Sequence, residues 1–195
     1  MKNTNHSLFD KYEMIKDLGT GSSGSVTLVR HISMDQERAL KKVPKASAFA
    51  ESALSEARLL KSLEHPSIPR IFDFEEDDAF YYIVEEYIDG ETLDSFLLHQ
   101  QLISPGLFFN ICEQLCNVFI YLHTQISTPI IYRDLKPEHI IVCHNKLKLI
   151  DFGVSAYVIQ DGNNFNHYGN IEFSAPECFT EDTICLLYTS PSPRD

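Results

Sequence analysis

The sequence predicts an α+β protein in which a small strand-rich lobe, residues 11–88, precedes a helical lobe, residues 89–184. Three observations carry this prediction. Residues 11–30 alternate apolar and polar around a glycine-rich centre, further short alternating segments follow up to residue 87, and after Gly90 the apolar residues fall mostly at helical spacing. The 195 residues, 44% of them hydrophobic, are enough to bury a core, and 8 Gly and 9 Pro are too few for a low-complexity chain.

Residues 1–10 read as a flexible N-terminus. YEMIKDL, GTGSSG and SVTLVR then read as two strands joined by a glycine loop, and residues 37–43 (ERALKKV) as a third strand. From Ser52 to Glu64 the pattern is helical, ending where His65-Pro66 stops it. Residues 68–74 and 80–87 make two more strands around the acidic turn Glu75 to Asp78. Leu107, Ile111, Leu115, Val118, Phe119 and Leu122 predict one long, well-buried helix. Short apolar runs at 129–143 and 147–150 follow, and no internal repeat is present. The cleft between two such lobes is the expected place for a ligand.

Lys and Arg total 16 against 28 Asp and Glu, a formal charge of −12. That balance argues against a nucleic-acid surface or an anionic-membrane surface, which need clustered cations. There is no signal-peptide core at the start and no run of eighteen apolar residues. Cys112, Cys116, Cys143, Cys178 and Cys185 show no C-x-x-C pair, and Cys112 and Cys116, one helical turn apart, read as packing rather than a metal site. A reducing, cytoplasmic setting is expected, with membrane attachment left to sequence beyond Ile184. Residues 185–195 (CLLYTSPSPRD) change character abruptly and resemble, codon for codon, the translation of a transposon-type sequencing adapter. They are expected to be an adapter-derived tail on a natural sequence cut near Ile184.

Five features, in chain order, carry chemistry. Gly19-Thr20-Gly21-Ser22-Ser23-Gly24-Ser25-Val26 fits G-x-G-x-x-G-x-V. It leads into a strand rather than a helix, so it departs from the dinucleotide pattern. Glycines at a hairpin tip let backbone N–H groups approach phosphates, although a plain flexible hairpin would read the same way. Lys41 alternates with apolar neighbours in the third strand, so it and Lys42 should point to opposite faces. Glu56 lies on the inward helix face with Leu60 and Leu63 and needs a cation, for which Lys41 is best placed, unless it is an ordinary surface Glu. Tyr132-Arg133-Asp134-Leu135-Lys136-Pro137-Glu138-His139, then Asp151-Phe152-Gly153, then Ser174-Ala175-Pro176-Glu177 complete the ordered set.

That set resembles the catalytic domain of a eukaryotic-type Ser/Thr protein kinase, of a kind closer to bacterial members, over about residues 11–184. The resemblance implies a two-lobed kinase-like fold whose helical C-lobe is incomplete after the A-P-E motif. It implies ATP and a protein as substrates, Mg²⁺ or Mn²⁺ as cofactor, and transfer of the γ-phosphate to a Ser/Thr hydroxyl. Gly19, Gly21 and Gly24 would cover the phosphates, and Lys41, paired with Glu56, would hold them. Leu18, Val26, Ala39 and Ile141 would sandwich the adenine, with backbone groups of Glu86 and Ile88 reading its edge. Asp134 would accept the hydroxyl proton, Asp151 would bind the metal, and Lys136 matches the Ser/Thr rather than the tyrosine pattern. Leu60, Ile71, Tyr132 and Phe152 align with the family's hydrophobic spine.

Three positions depart from the family pattern. His139 stands where an Asn supplies the second metal ligand, and an imidazole nitrogen is a poor ligand for Mg²⁺. Asn170 replaces the usual Thr after Gly169, and Glu85 precedes the hinge where an apolar residue or Thr is usual. Arg133 could read out activation-segment phosphorylation, yet residues 152–173 offer only Ser155, Tyr157 and Tyr168 as acceptors. The expectation is an active kinase in the full-length parent, with the given chain an inactive fragment. The alternative, motivated by His139 and Asn170, is a pseudokinase that holds nucleotide or a partner without turnover.

Overall fold

The structure, a computed structural model, describes residues 8–21, 24–99, 102–157 and 172–173. The expectations for Asn170, Tyr168, Ser174–Glu177 and residues 185–195 lie outside the described residues. The chain divides into two compact units, one of Met1–Glu64 and Pro69–Ile88, the other of His65–Ile68 and Asp89–Asp195.

The first unit is a five-stranded antiparallel sheet with one helix. Its elements are the helical turn α1 (Leu8–Lys11), β1 (Tyr12–Gly21), β2 (Gly24–His31), β3 (Gln36–Pro44), α2 (Ala50–Lys61), β4 (Ile71–Glu76) and β5 (Phe80–Glu86), with strand order β1-β2-β3-β5-β4. Both faces of β5 are covered, which is why Tyr82, Ile83 and Val84 form a buried apolar run rather than an alternation. On one face Tyr12, Val29, Leu40, Tyr82 and Val84 close over Leu8. α1 therefore begins inside residues 1–10, the segment expected to be a flexible terminus, and is held by Leu8 and by the 2.8 Å Lys11–Asp73 ion pair. On the other face Val43 and Ile83 pack under Ala53 and Ala57 of α2, whose short side chains let the helix sit close. Each of those two large residues contributes roughly 1.5–3 kcal/mol by burial.

Boundaries differ from the sequence reading for local reasons. α2 stops at Lys61 because the Ser62 hydroxyl donates back to the Leu59 carbonyl at 2.7 Å, so Leu63 is buried beyond the helix rather than within it. β4 starts at Ile71, after the His65–Ile68 turn and Pro69, which has no N–H to give a ladder. β4 also keeps Glu75 and Glu76, and the turn is made by Asp77, whose Oδ1 accepts from Ala79 N and Phe80 N at 2.8 and 2.7 Å. Those bonds hold its carboxyl below the usual range.

The second unit contains β6 (Glu91–Thr92), α3 (Leu93–His99), α4 (Pro105–Ile120), a π turn (Tyr121–Gln125), β7 (Ile130–Ile131), a 3-10 turn (Pro137–His139), β8 (Ile140–Cys143), β9 (Lys146–Leu149) and β10 (Ala156–Tyr157). β6, β8 and β9 form one small sheet, and β7 pairs with β10. α4 begins two residues earlier than its apolar spacing suggests, because Ser104 caps it by accepting from Leu107 N at 3.2 Å and Pro105 suits the first turn. The expected well-buried helix is corrected here: only Ile111 and Val118 of α4, with Leu122 of the π turn, are buried, while Phe108, Phe109 and Ile120 are exposed. Apolar residues occur on both sides of α4, so helical spacing alone overstated its burial. Packing likewise suits half-buried Cys112 but not exposed Cys116.

The β8–β9 hairpin is turned by His144 and Asn145, both at positive φ (47° and 66°) as a tight two-residue turn requires. Gln114 of α4 fastens it, donating to Asn145 O and accepting from Leu147 N, both at 2.9 Å. No helix among the described residues is long and apolar enough to cross a membrane.

Candidate active site

In the first unit, strand register gathers the predicted residues on one sheet face. Val26 lies opposite Lys41, and Ala39 lies opposite Glu85, so Val26, Ala39, Lys41 and Glu85 share that face. Lys41 Nζ stands 2.8 Å from Glu56 Oε2, with the two side chains only 21% and 9% exposed. Little water competes for this pair, so removing either partner would strand the other charge, and the contact fixes the ammonium in place. Lys42 takes the other face, its Nζ 3.9 Å from the Phe80 ring centroid. Gly19 and Gly21 lie in β1 and Gly24 opens β2; Leu18 is exposed at a bulge, and Ala39 is buried. Glu86 N–H donates to Arg70 O at 2.9 Å, and Ile88 is half-buried.

In the second unit the loop between β7 and β8 gathers Asp134, Lys136 and His139 and meets Asp151, which follows β9. Asp134 Oδ2 lies 3.2 Å from Lys136 Nζ and 3.4 Å from His139 Nδ1. His139 Nδ1 is also 3.0 Å from the Asp134 carbonyl, and its Nε2 is 3.3 Å from Asp151 Oδ2. Asp151 Oδ1 accepts from Gly153 N at 3.3 Å. Both ends of this arrangement hold an L-residue in the left-handed region, Arg133 at φ 74° and Asp151 at φ 60°. Such conformations cost about 1–3 kcal/mol each and persist where the surroundings impose them.

Those surroundings are a clamp that the sequence did not signal. Tyr132, 2% exposed, donates its O–H to the Ile150 carbonyl and meets the Phe152 ring edge-on at 5.0 Å. Ser155 Oγ in turn donates to the Tyr132 carbonyl at 3.1 Å. Backbone carbonyls accept in both cases, so no residue-type pattern could have announced them. Ile141 is half-buried in β8. Leu60 is buried in the first unit, as Tyr132 and Phe152 are in the second, and Ile71 is half-buried.

Asp151 offers carboxylate oxygen of the kind hard divalent ions take, with its side chain 55% exposed. No group of three or more His, Cys, Asp or Glu among the described residues could hold a metal by itself.

Residues 12–185 match the family model of the protein kinase domain. The chain is 31% identical over 176 residues to the serine/threonine-protein kinase PrkC of Bacillus subtilis, covering 86% of this chain and 26% of that protein. It is 34% identical over 167 residues to the serine/threonine-protein kinase ppk25 of Schizosaccharomyces pombe, covering 83% and 39%. It is 32% identical over 206 residues to calcium-dependent protein kinase 4 of Plasmodium falciparum, covering 97% and 37%. The chain thus spans between a quarter and two fifths of the length of these curated relatives.

Proposed function

The chain belongs to the protein kinase family, and from that premise we propose that the full-length protein is a Ser/Thr kinase transferring the γ-phosphoryl group of ATP to a protein hydroxyl. The observation that supports this most directly is the grouping of Asp134, Lys136, His139 and Asp151 within hydrogen-bond or ion-pair distance. Phosphoryl transfer asks for in-line positioning and charge neutralisation rather than covalent catalysis. Asp134 accepts the proton of the attacking hydroxyl. Lys136, 3.2 Å from that carboxylate, carries the positive charge that moves toward the transferring group. Lys41, oriented by Glu56, holds the phosphates, and the glycine loop contributes its backbone N–H groups. A divalent ion on Asp151 supplies further neutralisation when bound. Val26 and Ala39 offer an apolar face for the adenine, with Leu18 as a further contact.

The test is incorporation of labelled γ-phosphate into a Ser/Thr peptide by the full-length protein and its Asp134→Asn variant. Losing a general base costs about 10²–10⁴-fold in rate. The variant should lose at least a hundredfold while still binding ATP. Undiminished transfer would remove Asp134 from the mechanism. ATP binding without any transfer by the parent would support the pseudokinase reading instead.

A further inference from the structure

We infer that His139 turns the metal site at Asp151 into a mixed imidazole–carboxylate site that selects a transition-type divalent ion, such as Mn²⁺, over Mg²⁺. The inference rests on the kinase reading only in placing a divalent ion on Asp151.

The imidazole is held rigidly. His139 is 8% exposed, its backbone N–H donates to Lys136 O at 3.0 Å, and its carbonyl accepts from Ile150 N at 2.9 Å. Nδ1 stands 3.0 Å from the Asp134 carbonyl, a group that only accepts. The bond therefore places the ring hydrogen on Nδ1, and in the neutral ring Nε2 presents a lone pair. That lone pair lies 3.3 Å from Asp151 Oδ2, while Oδ1 is occupied by Gly153 N–H. Two lone pairs facing each other repel unless a proton or a metal ion lies between them. Two ligands about 2.1 Å from one ion and at right angles to each other stand about 3 Å apart, close to the spacing seen. A metal-ligating histidine commonly gives its other N–H to a carbonyl, as Nδ1 does here. Mg²⁺ favours all-oxygen shells, whereas Mn²⁺ and its heavier neighbours accept imidazole.

The test uses Mn²⁺ and a non-hydrolysable ATP analogue on the full-length protein. Electron spin-echo spectroscopy of the bound Mn²⁺ should show hyperfine coupling to a directly ligated nitrogen, altered when the protein is grown with isotopically labelled histidine. That readout needs no variant. In His139→Asn the coupling should vanish, and the excess of Mg²⁺ needed to displace Mn²⁺ should fall by roughly tenfold or more. Bound Mn²⁺ without nitrogen coupling overturns the inference, as does failure to bind Mn²⁺, or an equal Mn²⁺/Mg²⁺ ratio in both proteins. A protonated His139 that bonds Asp151 directly would give the first of these results. Nitrogen coupling with no phosphate transfer would leave the metal site standing while the kinase reading falls. Transfer without coupling would do the reverse.

Discussion

Replacing Gly24 by Ala should destabilise the first unit through the backbone alone. A Cβ built there lies 2.1 Å from the Lys42 carbonyl oxygen, 3.1 Å from Lys42 C and 3.2 Å from Val43 Cα. The first contact is about 1 Å inside any normal approach, and all three atoms are backbone, so no side-chain rotation relieves them. Gly24 also sits at φ +138°, which an L-residue adopts only under strain. Strain of about 1–3 kcal/mol and overpacking of about 1–3 kcal/mol add to roughly 2–6 kcal/mol. In a chain of this size that is a fall of about 4–24 °C in melting temperature. Relief must push back the backbone of β3 beside Lys41, so ATP affinity should fall as well. Gly19 and Gly21 provide the control, since an added Cβ meets nothing within 4 Å at either. Gly21→Ala should melt at or slightly above the parent temperature. Calorimetry of the three proteins decides the matter. A Gly24→Ala protein that melts with the parent, or a Gly21→Ala protein that falls as far, would refute the reasoning.

Two further outcomes are expected. Tyr132→Phe keeps the ring packed on Phe152 but leaves the Ile150 carbonyl without its O–H donor; chemical denaturation should show a loss of about 1–3 kcal/mol. His65 accepts Ser67 N–H at Nδ1 (3.1 Å), and burial, followed by the charge of Lys148, lowers its pKa below the ordinary 6.5. The unfolded chain then binds more protons, so its contribution, present above about pH 6.5, is lost as pH falls toward and through the folded value. The drop in melting temperature between pH 7.5 and 5.5 should shrink in His65→Asn, and an unchanged drop would exclude His65 as the acid-sensitive group.

The sequence by itself determined the α+β class, the glycine hairpin, the strand lysine with its helix glutamate, and the ordered Asp134, Asp151 and A-P-E motifs. These are legible because each is local: period-two alternation marks strands, helical spacing placed Glu56 on the inward face, and motif residues lie within a few positions of one another. Burial of α4 was misread because spacing reports which residues are apolar, not what covers them. Only the tertiary structure decided that Leu8 joins the core, that Tyr132 is clamped to the Ile150 carbonyl and Ser155 to the Tyr132 carbonyl, and that His139 stands between Asp134 and Asp151. In each case the partner is distant in the chain or is a backbone carbonyl, a group every residue carries. Residue identity says nothing about which carbonyl a buried donor will find; the path of the folded backbone does.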